Sequence, residues 1–269
     1  MNKQPQTNMN RVAFVTGASS GIGYATALEC ARQGVHVAAT ARRAERLKEL
    51  EQAVHALPEP HGEILTLAAD VRDQDALQAA VDLAVKRFGR LDILVANAGL
   101  GQRGSVVDSE WEDIETLLRT NIDGVLHSIR AAVPEMRKTG GGHIVVISSV
   151  VASMITPYTA SYSASKAFVS SLARSLRLEL EPDHIWVTDM LVGRTESEFN
   201  QKRLGAQGYA TRAPRIPIMP AEKVAKAIVK ATSQRKKTII LRPFDRLIVL
   251  ANLLVPEIIG RRALRQYKT

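Results

Sequence analysis

Residues 11–34 read RVAFVTGASSGIGYATALECARQG. The run 11–17 is short, mostly apolar and closed by Gly17, as expected of a strand buried on both faces. Residues 24–34 follow with helical spacing and stop at Gly34. Between them TGASSGIG (16–23) puts three glycines where strand passes into helix. Read outward from this unit, the alternation repeats. VHVAAT (35–40), EILTLAAD (63–70), LDILVANAG (91–99), GHIVVISS (142–149), IWVTDMLVG (185–193) and KTIIL (237–241) are further short apolar runs. Helical patterns separate them in 44–57, in 75–89, in Ser109–Lys138 with Pro134 near its end, in the stretch from Tyr162, and in Glu222–Ser233. Strands of this kind alternating with helices predict an α/β fold: a single-domain, doubly wound parallel sheet of about seven strands, joined by right-handed crossovers with helices on both faces.

Bulk composition narrows the function classes. The chain has 269 residues, 45% of them hydrophobic and only 4% aromatic, so its core is built from Val, Ile, Leu and Ala. One cysteine, Cys30, excludes an internal disulfide and fits a reducing compartment, hence a cytoplasmic location. Residues 1–10, MNKQPQTNMN, lack an apolar stretch and read as a flexible leader rather than a secretory signal. No run of apolar residues is long enough to span a bilayer. No Cys/His spacing of the zinc type occurs, so no metal site is expected. The net charge of +9 has no interleaved aromatics or binding motif to make nucleic acid a partner.

Most of that charge sits at the C-terminus. From Arg235 onward nine basic residues face Asp245 and Glu257, seven of the nine surplus charges. Residues 247–255 are apolar except for Asn252, Pro256 breaks the run, and Arg261, Arg262, Arg265 and Lys268 follow. Residues 11–243 therefore form the expected catalytic unit and 244–269 an apolar and basic extension. The extension has two readings. It is a helix lying in an anionic membrane interface, at the inner membrane face, or a helix packed over a pocket or subunit interface.

In doubly wound sheets ligands bind beyond the carboxyl ends of the strands, and the unusual residues gather there. Gly17–Gly23 follow the first strand, Asp70 the third, Asn97–Gly99 the fourth, and Ser148–Ser149 the fifth. Glycines after the first strand let the backbone approach a pyrophosphate at a helix N-terminus; the plainer reading is a turn capped by Ser19 or Ser20. No Gly-Lys-Ser/Thr follows, which argues against a P-loop. In TASYSASKAF (159–168), Tyr162 and Lys166 stand one helical turn apart on one face, with only small residues between. A phenol has a pKa near ~10, too high for an efficient base at neutral pH. A cation about 5 Å away lowers it by roughly two units. Alternatively, the pair is a surface tyrosine beside a solvated lysine.

TGASSGIG, Asn97-Ala98-Gly99, Asn121, Ser149 and Tyr162-x-x-x-Lys166 together resemble the short-chain dehydrogenase/reductase family, in the right order and each at its expected place, over 11–241. The resemblance implies a Rossmann-type domain, a nicotinamide dinucleotide, and exchange of hydride between an alcohol and a carbonyl. Its catalytic residues map onto Asn121, Ser149, Tyr162 and Lys166. Ser149 would hold the substrate oxygen, and Asn121 a water linking Lys166 to solvent. Strand alternation lets only one of Ser148 and Ser149 face Tyr162, and the thirteen-residue separation selects Ser149. The cofactor-binding set is Gly17, Ser19, Ser20, Gly21, Ile22, Gly23, Arg42, Arg43, Asp70, Val71, Asn97, Ala98, Gly99, Tyr162, Lys166, Gly193 and Ser197. Ser197 is the threonine equivalent, with Thr195 as rival. The second strand ends in Ala41-Arg42 where an NAD enzyme usually carries an acid, so NADP(H) is expected over NAD(H). Val192-Gly193 replaces the usual Pro-Gly.

The expected substrate is a small, apolar carbonyl compound or alcohol, meeting 100–106, an apolar wall of Val150, Val151, Met154, Ile155 and Pro157, and a lid in 194–220. Lys202, Arg203, Arg212 and Arg215 belong to that lid and read as a solvated loop or an attraction for an acid; Gly205 and Gly208 suggest mobility. A homodimer or homotetramer is expected through the long helices. The rival to an enzyme is a catalytically silent dinucleotide-binding sensor, which a missing tyrosine or lysine would have favoured.

Overall fold

The computed structural model describes residues 10–200, 203–205, 218–265 and 267. Lys202, Gly208, Arg212, Arg215 and Lys268, singled out above, lie outside them, as does most of the leader.

The strands are β1 (Val12–Thr16), β2 (His36–Ala41), β3 (Ile64–Ala68), β4 (Ile93–Ala96), β5 (Gly142–Ser149), β6 (Ile185–Val192) and β7 (Thr238–Ile240). They form one sheet in the order β3-β2-β1-β4-β5-β6-β7, every pair parallel. The helices are α1 (Gly21–Arg32), α2 (Ala44–His55), α3 (Gln74–Phe88), α4 (Trp111–Leu118), α5 (Gly124–Lys138), α6 (Ala160–Glu179), α7 (Ala221–Gln234), α8 (Pro243–Leu254) and α9 (Pro256–Leu264). The seven-stranded, doubly wound sheet read from the sequence is the fold observed.

Period-two alternation divides each strand between two cores. Val12 and Phe14 join Leu77 and Ala80 of α3, Ile129 and Met136 of α5, and Val169 and Ala173 of α6 on one face. Ala13 and Val15 join Ala27 of α1, Leu47 and Leu50 of α2, and Val224 and Ile228 of α7 on the other. Each fully buried Leu, Ile or Phe contributes about 1.5–3 kcal/mol by leaving water. Cys30 belongs to the second core, where burial pushes its thiol up to about 12, so it packs as a small hydrophobe.

The helix ends follow local chemistry. Asp73 caps α3 by accepting from the Ala76 amide at 3.0 Å, and Gly89, with φ +80°, ends it. Asp70, three residues earlier, accepts from the Arg72 amide at 3.0 Å and from its guanidinium. The expected single helix over 109–138 is continuous only from Trp111, and Arg119–Asp123 form a π-helical turn between α4 and α5. Such turns recur at functional sites. Pro256 does separate two helices, and it opens α9.

The order reverses between β1 and β4, which opens a crevice at their carboxyl ends. Thr16 ties its two walls together. Its hydroxyl accepts from the Asn97 and Ala98 amides at 3.0 and 3.1 Å, while Asn97 Nδ2 donates to Thr16 O at 2.9 Å.

Candidate active site

A cavity of about 780 Å³ occupies this crevice. Every residue of the predicted set lines it except Gly23 and Asn121. Gly23 packs inside α1, where a Cβ would run into the Gly17 carbonyl and the Asn97 side chain. It sets the approach of helix to loop rather than the cavity wall. Asn121 is fully buried in the π-helical turn. Its Oδ1 accepts from Leu100 N at 2.7 Å, and its Nδ2 donates to Leu100 O at 3.0 Å and Ser165 Oγ at 3.0 Å. That side chain clamps the loop after β4 to α6, behind the lining residues Leu100 and Gly99.

At the loop end, Gly21 has φ +54°, and a Cβ there would sit 2.7 Å from Ser197 Cβ, so residue 197 closes over the glycine loop. No side chain caps α1 at Ser20, leaving the amides of its first turn beside the cavity. Arg42 is 57% exposed, with Nη1 3.8 Å from Asp70 Oδ2. Arg43 is held more tightly: Nη2 donates to Ser19 Oγ at 3.1 Å and Nη1 to Glu198 Oε2 at 2.9 Å. Arg46 also pairs with Glu198, at 3.5 Å. Val71, Ala98 and Gly99 line the wall between.

At the catalytic end, Ser149 and Tyr162 are hydrogen-bonded through their side chains, while Ser149 Oγ also donates to Val192 O at 3.2 Å. Ser148 points away to Asp189, which also accepts from Ser170 Oγ at 2.5 Å. Burial raises the Tyr162 phenol above its ordinary value, opposed by the Ser149 hydrogen bond and by the charge of Arg203. Lys166 Nζ donates to Ile147 O at 2.9 Å, and burial drives it down to about 8 against the attraction of Asp189. Arg203 supplies a positive charge that opposes the burial of the phenol. Lys166, stripped of water, belongs first to the end of β5.

Sequence reading missed Asp189 and Tyr267, and held Arg103 and Phe199 only within the ranges 100–106 and 194–220. An acid inside the apolar strand IWVTDMLV was a visible signal for Asp189, because a buried carboxylate needs partners. The Phe199 ring lies 5.7 Å from that of Tyr162, and Tyr267 lies 5.0 Å from Tyr158. No local pattern marks these contacts.

The C-terminal extension takes part in the cavity. Arg242 and Asp245, paired at 2.7 Å, cover Gly193, where any Cβ would collide with them. Asn252 donates to Ser153 O at 2.5 Å and accepts from Ile155 N, and Gly260 packs on Ile155. Ile155 is thereby the support for α9 rather than part of the wall. Ser197 and its rival Thr195 both line the cavity; Thr195 Oγ1 donates to Gly193 O at 3.0 Å.

Comparison with known proteins agrees with this geometry. The family model described as short chain dehydrogenase matches residues 11–207. The 11-beta-hydroxysteroid dehydrogenase 1A of Arabidopsis thaliana is 34% identical over 264 residues, 93% of this chain and 73% of that protein. Glycine betaine reductase ATRR of Emericella nidulans is 34% identical over 226 residues, 83% of this chain, which spans only 18% of that protein's length. Among solved structures, a short chain dehydrogenase from Mycobacterium paratuberculosis bound to NAD has a TM-score of 0.76 at 27% identity, covering 86% of this chain and 95% of its own. An alcohol dehydrogenase from Thermococcus sibiricus complexed with 5-hydroxy-NADP has 0.75 at 27%, covering 86% and 96%. The glycine loop, the strand-end residues and these likenesses converge: the chain belongs to the short-chain dehydrogenase/reductase family.

Proposed function

We propose that the chain is an NADP(H)-preferring oxidoreductase that interconverts a secondary alcohol and a ketone or aldehyde, with Tyr162 as acid and base. The observation that carries the reading is Tyr162 hydrogen-bonded to Ser149, with Lys166 one turn on, in the cavity that the glycine loop lines.

The donor set fits a nicotinamide dinucleotide. The first-turn amides of α1 and the glycines suit a pyrophosphate. Asp70 and Val71 suit an adenosine, Asn97–Gly99, Tyr162 and Lys166 the middle of the molecule, and Gly193 and Ser197 its nicotinamide end. When bound, the dinucleotide supplies or accepts the hydride. The solved relatives named above hold NAD in one case and an NADP derivative in the other. Preference for NADP(H) rests on Arg42 directly after the second strand, exposed at the cavity edge, with Arg43 and Ser19 bonded beside it.

In the reducing direction the substrate oxygen lies between the Ser149 and Tyr162 hydroxyls. Ser149 donates a hydrogen bond as charge grows on that oxygen, and the Tyr162 phenol delivers its proton to it. The reverse reaction returns the proton to Tyr162. Lys166, anchored on Ile147 O, keeps a positive charge beside the site at neutral pH. Asn121 acts through position: by fixing the loop at Leu100 it sets the wall opposite α6.

Ketone and secondary-alcohol panels with both cofactors test the reading. Turnover is expected with NADPH ahead of NADH, and Tyr162→Phe should lower kcat by about a hundredfold to ten-thousandfold. Wild-type rates in Tyr162→Phe would reject Tyr162 as the acid.

A further inference from the structure

Asp189 lies in β6, outside the lining of the cavity. Alternation along the strand puts it on the face of Ile185 and Val187, which join Val169 and Ala173 of α6 in one core. Asp189 is itself buried. Taking a carboxylate out of water is costly, and an apolar side chain of similar size generally serves stability as well. Packing therefore gives no reason for an acid at this position.

Its two oxygens join two elements. Ser148 Oγ, at the end of β5, donates to Oδ1, and Ser170 Oγ of α6 donates to Oδ2 at 2.5 Å. The same elements meet at two further points. Ser149 is hydrogen-bonded to Tyr162, and Lys166 Nζ donates to Ile147 O at 2.9 Å. Tyr162, Lys166 and Ser170 follow one another at four-residue spacing on one face of α6, and Ile147, Ser148 and Ser149 are consecutive on β5. The carboxylate is thus the third tie of one seam, and the other two ties hold the proposed reacting groups.

The charges around this seam come from few elements. Arg177 and Arg174 of α6 act on the carboxylate; burial raises it, and the two serines and these two guanidinium groups oppose the rise. From β7, the Lys237 carbonyl accepts from the Asp189 amide at 3.0 Å, while the Lys237 side chain is exposed. Lys166 is buried, and Asp189 is the charge that favours its protonated form. The loop after β4 and the π-helical turn bring uncharged groups to it: a Cβ on Gly99 would sit 3.4 Å from Lys166 Nζ and 3.2 Å from Asn121 Oδ1.

We infer that Asp189 is a positioning residue of the reaction: its carboxylate fixes the end of β5 against α6, so that Ser149 meets Tyr162, and it is the counter-charge of Lys166. The inference rests on the proposed reading of Tyr162 as the reacting group.

Asp189→Asn separates charge from shape, because an amide can accept from one serine and donate to the other. With NADPH and a ketone that the wild type reduces, the alkaline fall in kcat/KM, expected at about 8, should begin at lower pH in Asp189→Asn. Ser148→Ala and Ser170→Ala cut the tie and keep the charge. Each should lower kcat, by as much as about a hundredfold, with KM little changed, because about 1 Å of misplacement costs that much. A second readout needs no turnover. With the Cε carbon of lysine isotopically labelled, NMR follows Lys166, whose signal is assigned by its loss in Lys166→Met. It should titrate at about 8 in the wild type and at lower pH in Asp189→Asn. A Lys166 titration unmoved in Asp189→Asn would overturn the inference, whatever the change in melting temperature. If that variant does not fold, the serine variants decide: wild-type kcat in both overturns the inference, and lowered kcat at unchanged KM upholds it. Absence of turnover with every ketone would count against the proposed reaction, and the Lys166 titration then decides the role of Asp189 by itself.

Discussion

At Tyr162 and Lys166 burial opposes the charged form of both groups. The phenol is raised, so at neutral pH it is protonated and ready to donate, which suits reduction. Oxidation needs the phenolate, so its kcat/KM should climb from neutrality upward, whereas reduction should stay level until Lys166 loses its proton at about 8. Arg203→Gln removes the charge that opposes burial at Tyr162, so it should move the oxidation limb to higher pH. An unmoved limb would show that the guanidinium does not act on the phenol. Arg42 is a second residue-scale test. Arg42→Ala should weaken NADPH binding by about tenfold to a hundredfold, with NADH little changed, because charge-assisted hydrogen bonds are worth ~1.5–3 kcal/mol. Equal losses for both cofactors would remove Arg42 as reader of the extra phosphate.

Among the elements, β5 carries both the catalytic end and a stability switch. It begins at Gly142-His143 and ends at Ser148-Ser149. His143 is buried, with Nε2 2.8 Å from Thr188 Oγ1 of β6, and burial depresses it to about 4. Its folded value lies below the unfolded 6.5, so the unfolded chain binds the extra proton. The contribution is complete above about 6.5 and is lost as pH falls through about 4, in all roughly 3 kcal/mol. Urea unfolding across that window should show the decline, and His143→Gln should flatten it. The π-helical turn between α4 and α5 is the other element of note. It turns Asn121 towards Leu100 and Ser165, which a straight helix would not do.

For the whole molecule the open surface is the outer side of α8 and α9. Leu247, Leu253, Leu254 and Ile258 are each more than 60% exposed, and Arg246, Arg261 and Arg262 flank them. Among the described residues no helix is long and apolar enough to cross a membrane. If this face meets an anionic membrane surface, vesicles rich in anionic lipid should retain the protein and Leu247→Glu with Leu254→Glu should release it. A chain cut at Pro243 is a poorer control, because Asp245 and Asn252 hold the cavity wall and the turn beneath it. Equal retention of wild type and variant would exclude the membrane reading. Phe168 and Leu178 of α6 are exposed at 42% and 73%, more apolar surface than the core uses. Light scattering at micromolar concentration is expected to give a dimer or tetramer, and a monomer would exclude assembly through this helix.

The sequence by itself determined the fold class, the strand order along the chain and the family. These depend on local signals: apolar runs of strand length, helical periodicity, and turn residues whose backbone or hydroxyl chemistry is needed at a strand end. Ser149 over Ser148 was legible for the same reason, since alternation along one strand is local. Tertiary structure alone decided that Asn121 is bonded to Leu100, that Arg203 is held beside the loop after β4 by the Gln102–Leu204 bridge, and that α8 closes over Gly193. Those arrangements join residues far apart in the chain, and nothing in their own neighbourhoods encodes the partner. Burial followed from the same packing, and it placed the pKa values of Tyr162 and Lys166 where charge spacing on one helix does not.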